Sequence, residues 1–359
     1  MNRLVFTSKI LLMLSGASIF AGSAAAQTFP PGGGGGGFGG SSGATNTSPK
    51  GEETAISPGG VDLRTGRFAQ SITDISVGED NESGGVALTR LLATNIRGGI
   101  RPFANFSHGW DITIIERRID INNPSTDPFA TGPDYQMRVN FGSRGETFQA
   151  FQSGNYQQET RTTYADLTFT GTKTNAVYTM RAGDGTLAVF RPITSNDCSD
   201  QLRCAYVSQV TWPDETRFDF EYESPSGANN MTRLKSVTSS RGYALLLEYA
   251  GTGASWKHVT KACVLNMAVT PKPTSNVCPA AALAVSIYGY TNMSGRQMLA
   301  SATNAVGETT SYTYTNVSGP SGLYGAYSYK MGFKKPGQSA SWLTNTVGET
   351  LNQSGELEE

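Results

Sequence analysis

Val210-Thr211-Trp212-Pro213-Asp214-Glu215-Thr216, running on to Tyr222, is the phrase that decides how this chain is built. It returns as Val237-Thr238-Ser239-Ser240-Arg241-Gly242 running on to Tyr249, and as Ala302-Thr303-Asn304-Ala305-Val306-Gly307 running on to Tyr314. In each copy a turn residue (Glu215, Gly242, Gly307) stands seven places before the tyrosine. A strand, a polar turn and a strand ending in Tyr describe a β-hairpin used as a module. Self-similarity of this kind governs the architecture of a whole chain. It predicts a stacked β-scaffold and points away from an enzyme pocket.

The turn positions lie 27 residues apart from Glu215 to Gly242 and 65 apart from Gly242 to Gly307. The longer interval contains Cys263 and Cys278. A weaker fourth copy is expected at Thr344-Asn345-Thr346-Val347-Gly348-Glu349, with Gly355 in the tyrosine's place, as if the last repeat were cut short. An incomplete last hairpin leaves an unpaired sheet edge.

Ahead of the repeats, residues 61–192 read as a run of strands. Val86–Leu92, Trp110–Glu116, Tyr135–Phe141 and Tyr164–Phe169 carry alternating or clustered apolar residues at strand length, separated by turn signals. Asp184-Gly185, between Val177–Met180 and Leu187–Phe190, is expected to supply the positive φ angles of a tight hairpin. No convincing amphipathic helix is read after residue 60, because Gly, Thr, Ser and Asn are spread evenly and few windows carry a helical apolar stripe. The fold class expected is all-β, with antiparallel hairpin repeats forming an extended, curved or spiralling sheet.

The N-terminus sets the compartment. Arg3 and Lys9 precede an apolar stretch from Ile10 to Ala21, too short to span a bilayer comfortably, and Ala24-Ala25-Ala26 forms a cleavage site before Gln27. Residues 1–26 therefore read as a secretory signal peptide, and the expected location is periplasm, cell surface or medium. No other apolar run predicts a membrane span. Residues 27–60, with Pro30-Pro31 and six glycines from Gly32 to Gly37, cannot bury enough surface to offset chain entropy and read as a flexible linker.

Residues 1–26 hold two of the 28 basic residues and none of the 29 acidic ones, so the mature chain carries 26 against 29, or −3. This balance gives no reason to expect a nucleic-acid partner. Four cysteines, Cys198, Cys204, Cys263 and Cys278, in an exported chain favour disulfides, with three connectivities open. Nearest-neighbour pairing, Cys198 with Cys204 and Cys263 with Cys278, is preferred because each pair brackets a loop-like insert. Zinc would need paired Cys-x-x-Cys or nearby histidines, and His258 is the one candidate.

The repeat phrases resemble the YD repeats of Rhs-type proteins. The preceding segment is similar to the N-terminal part of that family: Val61-Asp62-Leu63-Arg64-Thr65-Gly66 followed by Thr73-Asp74-Ile75, then Leu88-Thr89-Arg90, then Gly109-Trp110. The resemblance covers roughly residues 55–359. It implies hairpin sheets that spiral into a shell, around a C-terminal effector in full-length members or at the cell surface in others. A C-terminal effector or a cell-envelope component is thus the implied partner. Three clear repeats are few for a closed shell, the Asp-Pro-x-Gly segment that ends the shell in toxin members does not occur in these 359 residues, and no separate C-terminal domain is expected within them. Scaffold architecture carries over; toxin activity does not.

No His-Glu-x-x-His, phosphate loop or Cys-x-x-Cys occurs, and the Gly-x-Ser-x-Gly match at Gly39-Gly40-Ser41-Ser42-Gly43 lies in the Gly-rich linker, where no strand-to-helix elbow is expected. His108, beside Gly109-Trp110, reads as a turn residue packing near the tryptophan. Glu79-Asp80-Asn81-Glu82 lacks the alternating spacing of a calcium loop and reads as a solvated tip. No catalytic residue, metal ligand or cofactor site is assigned, and a non-enzymatic protein is expected. Tyr222, Tyr249 and Tyr314 are expected to be layer residues with their hydroxyls at the wet edge. Tyr324, Tyr327 and Tyr329, outside the period, are the candidate contact surface. The function expected is an exported β-repeat scaffold acting in encapsulation, display or cell contact. The alternative is a stand-alone adhesin or carbohydrate-binding module using exposed aromatics.

Overall fold

The computed structural model describes residues 70–78, 84–92, 103, 106–108, 110, 112–118, 135–141, 144–150, 156–158, 164–171, 176–192, 204–224, 232–251, 256–275, 277–293, 295–317, 327–351 and 357–358. Every regular element among them is a strand, and every strand pairing is antiparallel. The signal peptide, the Gly-rich linker, the 79–82 acidic cluster, Cys198 and Tyr324 lie outside the described residues.

Three strands form a small separate sheet: β1 (Gln70–Val77), β2 (Val86–Leu92) and β3 (Ser107–His108). Next come β4 (Ile112–Arg118), β5 (Tyr135–Phe141), β6 (Arg144–Ala150), β7 (Tyr156–Gln158), β8 (Asp166–Thr170), β9 (Val177–Arg181) and β10 (Leu187–Pro192). The repeat region supplies β11 (Cys204–Thr211), β12 (Arg217–Glu223), β13 (Arg233–Ser239), β14 (Tyr243–Tyr249), β15 (Val259–Asn266), β16 (Ala284–Met293), β17 (Arg296–Thr303) and β18 (Thr309–Val317). Last are β19 (Tyr327–Lys334), β20 (Leu343–Leu351) and β21 (Leu357–Glu358).

From β4 onward each strand pairs with its successor, so the order in the sheet is the order in the chain. β11 pairs with β10 on one edge and divides the other. Its Cys204–Tyr206 end lies beside β4 and its Gln209–Thr211 end beside β12. The pairings from β4 to β10 thus return to β4 through β11, while β12 to β21 lead away as an open sheet. No pairing joins β21 to β4 among the described residues.

Four hairpins share one turn design. The amides of Gly185, Glu215, Gly242 and Gly307 donate to the carbonyls three residues before them, Ala182, Trp212, Ser239 and Asn304, at 2.9–3.0 Å. These four residues have φ of +94°, +66°, +90° and +85°. This is the three-residue loop in which a type I turn is followed by one left-handed residue. It corrects the expectation at Asp184-Gly185. Of that pair only Gly185 has positive φ, and Asp184 instead accepts the Thr186 amide at 2.8 Å on its carboxylate. Asp214 accepts the Thr216 hydroxyl at 2.8 Å and the Thr216 amide at 2.9 Å, and these two hydrogen bonds hold its carboxyl below the ordinary value.

Two further expectations change. Thr344–Glu349 lies within β20, paired in unbroken register with β19, and Gly348 stands opposite Ser328 instead of in a turn. The turn before β20 is made by Gly337, at φ +74°. His108 is a strand residue of β3, paired with Arg90, and not a turn residue.

One face of the sheet carries the main core, built from alternating positions such as Ala188 and Phe190 of β10 and Phe218 and Phe220 of β12. β14 departs from alternation. Ala244, Leu245, Leu246 and Leu247 are all buried. Leu245 and Leu247 face the main core, while Ala244 and Leu246 join Cys263, Leu265 and Cys278 in a second cluster on the other face. A strand covered on both faces reads as a continuous apolar run, which accounts for Ala244-Leu245-Leu246-Leu247.

Candidate functional site

The small β1–β3 sheet packs onto the main-core face of the long sheet, and the junction is built from residues far apart in sequence. Asp74 sits at a register shift in β1, between Thr73, which pairs with Thr89, and Ile75, which pairs with Leu88. Such a bulge frees a backbone group from its own ladder. The Asp74 carbonyl accepts the Ser286 hydroxyl at 3.1 Å and the Ala305 amide at 2.9 Å. The Asp74 carboxylate accepts Arg90 Nε at 2.5 Å and Nη2 at 2.9 Å, in a fork, and the Tyr288 hydroxyl at 2.9 Å. Arg90 Nη1 donates to the Tyr312 hydroxyl at 2.6 Å.

Arg90 is wholly buried. Burial disfavours its charge, but the Asp74 hydrogen bonds, with Tyr312 and the Asp74 charge, outweigh it and raise its pKa. Phe106, Tyr288 and Tyr312 surround the guanidinium with ring centroids at 5.5–6.0 Å. Burial also pushes the Tyr288 and Tyr312 phenols up, so both stay neutral donors or acceptors. A buried pair with this many partners is a rivet. It holds two sheets together and offers no open side to a substrate.

Two more contacts extend the junction. The Trp110 indole donates to the Ala87 carbonyl at 2.8 Å and packs against Phe218 and Phe220, with centroids at 5.1 and 5.8 Å. At the other end the Gly84 carbonyl accepts Ser239 Oγ at 2.8 Å. A Cβ on Gly84 would lie 2.2 Å from Arg241 Cγ, so the close approach requires glycine. Asp74, Arg90 and Trp110 all come from the short phrases that carry the sequence resemblance.

The second constellation is a row of tyrosines on alternate strands: Tyr222 (β12), Tyr249 (β14), Tyr290 (β16) and Tyr314 (β18). All four pack, partly buried, against the main core. A register shift stands just before Tyr222, Tyr249 and Tyr290. The residues paired with them are Leu234, Val259 and Leu299 in turn. The carbonyl of each of these residues accepts the hydroxyl of the next tyrosine in the row. Tyr249 donates to Leu234, Tyr290 to Val259 at 2.6 Å and Tyr314 to Leu299 at 2.6 Å. Each hydroxyl thus supplies a donor beside a disrupted stretch of ladder, one hairpin back.

The hydroxyls of Tyr249, Tyr290 and Tyr314 therefore lie against backbone carbonyls, and for Tyr249 and Tyr314 this replaces the wet edge that the sequence predicts. Burial pushes the phenols of Tyr249 and Tyr290 well above their ordinary value. Tyr222 stacks on Tyr206 at 5.3 Å. Tyr249 carries Arg233 over its ring at 4.2 Å, and Arg233 lies 3.4 Å from the Trp256 ring centroid and bonds Glu223 at 2.6 Å. His258 stacks on Tyr290 at 4.9 Å, and burial lowers its pKa, leaving a neutral ring.

Cys263 and Cys278 form a disulfide, as nearest-neighbour pairing predicts. Cys204 begins β11. Tyr327 and Tyr329 lie in β19, paired with Glu349 and Val347 of β20. Tyr290 is the member of the row that the sequence reading misses. Its hairpin carries the disulfide insert where the others carry a three-residue turn, so it has no turn residue seven places before it. Among the described residues no group of three His, Cys, Asp or Glu side chains is placed to hold a metal ion.

No protein-family model matches the chain, and no curated protein matches it. Among solved structures, the N-terminal domain of the effector protein SpvB from Salmonella typhimurium strain LT2 is similar at 10% identity and a TM-score of 0.42, over 64% of this chain and 98% of that one. The TcdB2–TccC3 structure is similar at 10% identity and a TM-score of 0.47, over 79% of this chain and 20% of that one. The Photorhabdus luminescens Tc holotoxin pore carrying TccC3-D651A is similar at 10% identity and a TM-score of 0.45, over 83% of this chain and 19% of that one. The chain thus spans about a fifth of the two toxin-complex chains. All three TM-scores lie under 0.5, so the functional reading rests on the geometry of the chain itself.

Proposed function

We propose that this chain is an exported, non-enzymatic β-scaffold, a shell portion of the Rhs type that acts by enclosing, displaying or presenting a partner. One observation carries the reading. The hydroxyls of three repeat-row tyrosines, Tyr249, Tyr290 and Tyr314, are each spent on a carbonyl of the preceding hairpin. A row used for binding would keep such groups for a ligand; a row used for building consumes them. The Asp74–Arg90 rivet adds to this, because its polar groups are engaged by the two sheets it joins. The partner implied by the resemblance is a C-terminal effector or a cell-envelope component, and the signal-like N-terminus supports work outside the cytoplasm.

The test is a folded reporter fused after residue 359 and expressed with the full leader. Enclosure predicts that the reporter resists protease longer than it does on an unrelated exported carrier. Display predicts ready cleavage together with labelling of the protein on intact cells. A correctly folded fusion that is neither protected nor labelled, and that stays in the cytoplasm, would overturn the proposal.

A further inference from the structure

The β11–β12, β13–β14 and β17–β18 hairpins close with three-residue turns, but β15 and β16 are joined by a longer segment, described over residues 267–275 and 277–283, that folds back over the outer face of the sheet. Cys263, in β15, and Cys278, in this segment, are both buried and bonded to each other. Around the bond Ala244, Leu246 and Leu265 form the second apolar cluster, with Met267, Ala282 and Val285 packed against it. The segment crosses several strands. The Cys278 amide donates to the Glu248 carboxylate of β14. Lys272 Nζ donates to Ser236 Oγ of β13 at 3.0 Å and pairs with Glu221 of β12 at 2.6 Å. Lys235 Nζ of β13 donates to the Thr274 carbonyl at 3.1 Å.

This segment has little apolar packing of its own. Val269, Val277 and Leu283 are 78%, 61% and 55% exposed. The polar anchors lie near the surface, where ion pairs contribute little. Segments with few buried apolar contacts open locally at low free-energy cost. The disulfide is thus the dominant tie across a face that is apolar beneath it.

We infer that the Cys263–Cys278 bond is a redox latch: oxidised, it holds residues 267–283 as a strap over the second apolar face of β14 and β15; reduced, it lets the strap lift and bares that face. Closing balances as thiol–disulfide exchange. The two thiols give up two protons and two electrons as the S–S bond forms, and a disulfide-class oxidant is cleaved to its dithiol. Opening runs the same exchange with a dithiol reductant. The scaffold would then be completed only in an oxidising compartment. The latch does not rest on the scaffold reading, because it is tested on the isolated protein.

The experiment is hydrogen exchange by mass spectrometry on the purified exported protein, with and without dithiothreitol, alongside binding of an apolar-surface dye. Reduction is expected to speed exchange at the Cys278, Ala282 and Leu283 amides at least tenfold and to create dye binding. Exchange in β17 and β18 should change less than twofold. The Cys263→Ala/Cys278→Ala variant, which keeps Cys198 and Cys204, reads the open state directly if the buried bond resists reductant, and its strap exchange should ignore dithiothreitol. Unchanged strap exchange in both the reduced protein and the variant would overturn the latch. So would loss of protection in β17 and β18 together with the strap, which marks the bond as a support of the whole fold.

Discussion

The Tyr314 hydroxyl donates to the carbonyl of Leu299, fifteen residues earlier, and Leu299 is the residue paired with Tyr290 across the ladder. Tyr249 and Leu234 repeat this relationship with the same separation of fifteen. A hairpin module of fixed length, with its tyrosine at a fixed place, produces both. Replacing either tyrosine by Phe keeps the ring and leaves a carbonyl without its donor, at a cost of about 1–3 kcal/mol. Native-state hydrogen exchange should show the loss in the hairpin that holds the tyrosine and the one before it. Tyr164→Phe, at a residue 82% exposed, is the control and should stay within about 0.5 kcal/mol.

Arg90→Met removes one half of a wholly buried ion pair and strands the Asp74 carboxylate. Breaking such a pair costs about 3–5 kcal/mol. The Asp74→Ala/Arg90→Met double variant should recover a large part of that loss, since neither charge is then left alone. A chemical-denaturation series reads both. Equal loss in the single and double variants would show that the pair is not what joins the β1–β3 sheet to the long one.

At the hairpin tips the backbone angle sets the preference. A Cβ on Gly242 would meet nothing within 4 Å, yet its φ is +90°. Gly242→Ala is therefore expected to cost about 1–2 kcal/mol through conformation alone. Glu215 holds the matching place with a side chain at φ +66°. Glu215→Gly should be neutral or stabilising by up to about 1 kcal/mol. Thermal melts of the two variants should move in opposite directions or leave Glu215→Gly unchanged.

Glu221 supplies a pH-dependent anchor for the strap. Burial raises its pKa, but Lys272, by hydrogen bond and charge, with Ser236 and Lys235, overcomes that and holds the carboxyl below its ordinary value of 4.5. A carboxyl depressed on folding stabilises the fold fully above its unfolded pKa, and that stability is lost as pH falls through the folded one. The difference in melting temperature between wild type and Glu221→Gln should be present at neutral pH and shrink as pH falls below 4.5. A difference that stays constant into acid would rule out the ionised anchor.

How much of this was legible in the sequence depends on the range of the interaction. Tyr222, Tyr249 and Tyr314 could be read because turn and strand lengths are local, and the left-handed residue before each is local as well. Tyr290 could not, because the strap 267–283 replaces its turn and erases the count. The register shifts before the tyrosines were illegible too, since a one-residue bulge barely disturbs an apolar pattern. Val347-Gly348-Glu349 looked like a turn by likeness to Val306-Gly307-Glu308, but its partner strand β19 pairs straight through it. Asp74 and Arg90 stood in recognised phrases without a role. Their partners Tyr288 and Tyr312 lie 214 and 222 residues further on, and only the folded chain brings them together.

The central claim is that the tyrosine row builds hairpin onto hairpin. Its most direct test is the unfolding free energy of Tyr290→Phe, the member of the row with no turn residue to announce it. If the row is one device, this variant should lose about 1–3 kcal/mol, as Tyr249→Phe and Tyr314→Phe do, with exchange rising around Val259. A Tyr290→Phe protein as stable as wild type, with the other two destabilised, would contradict the account.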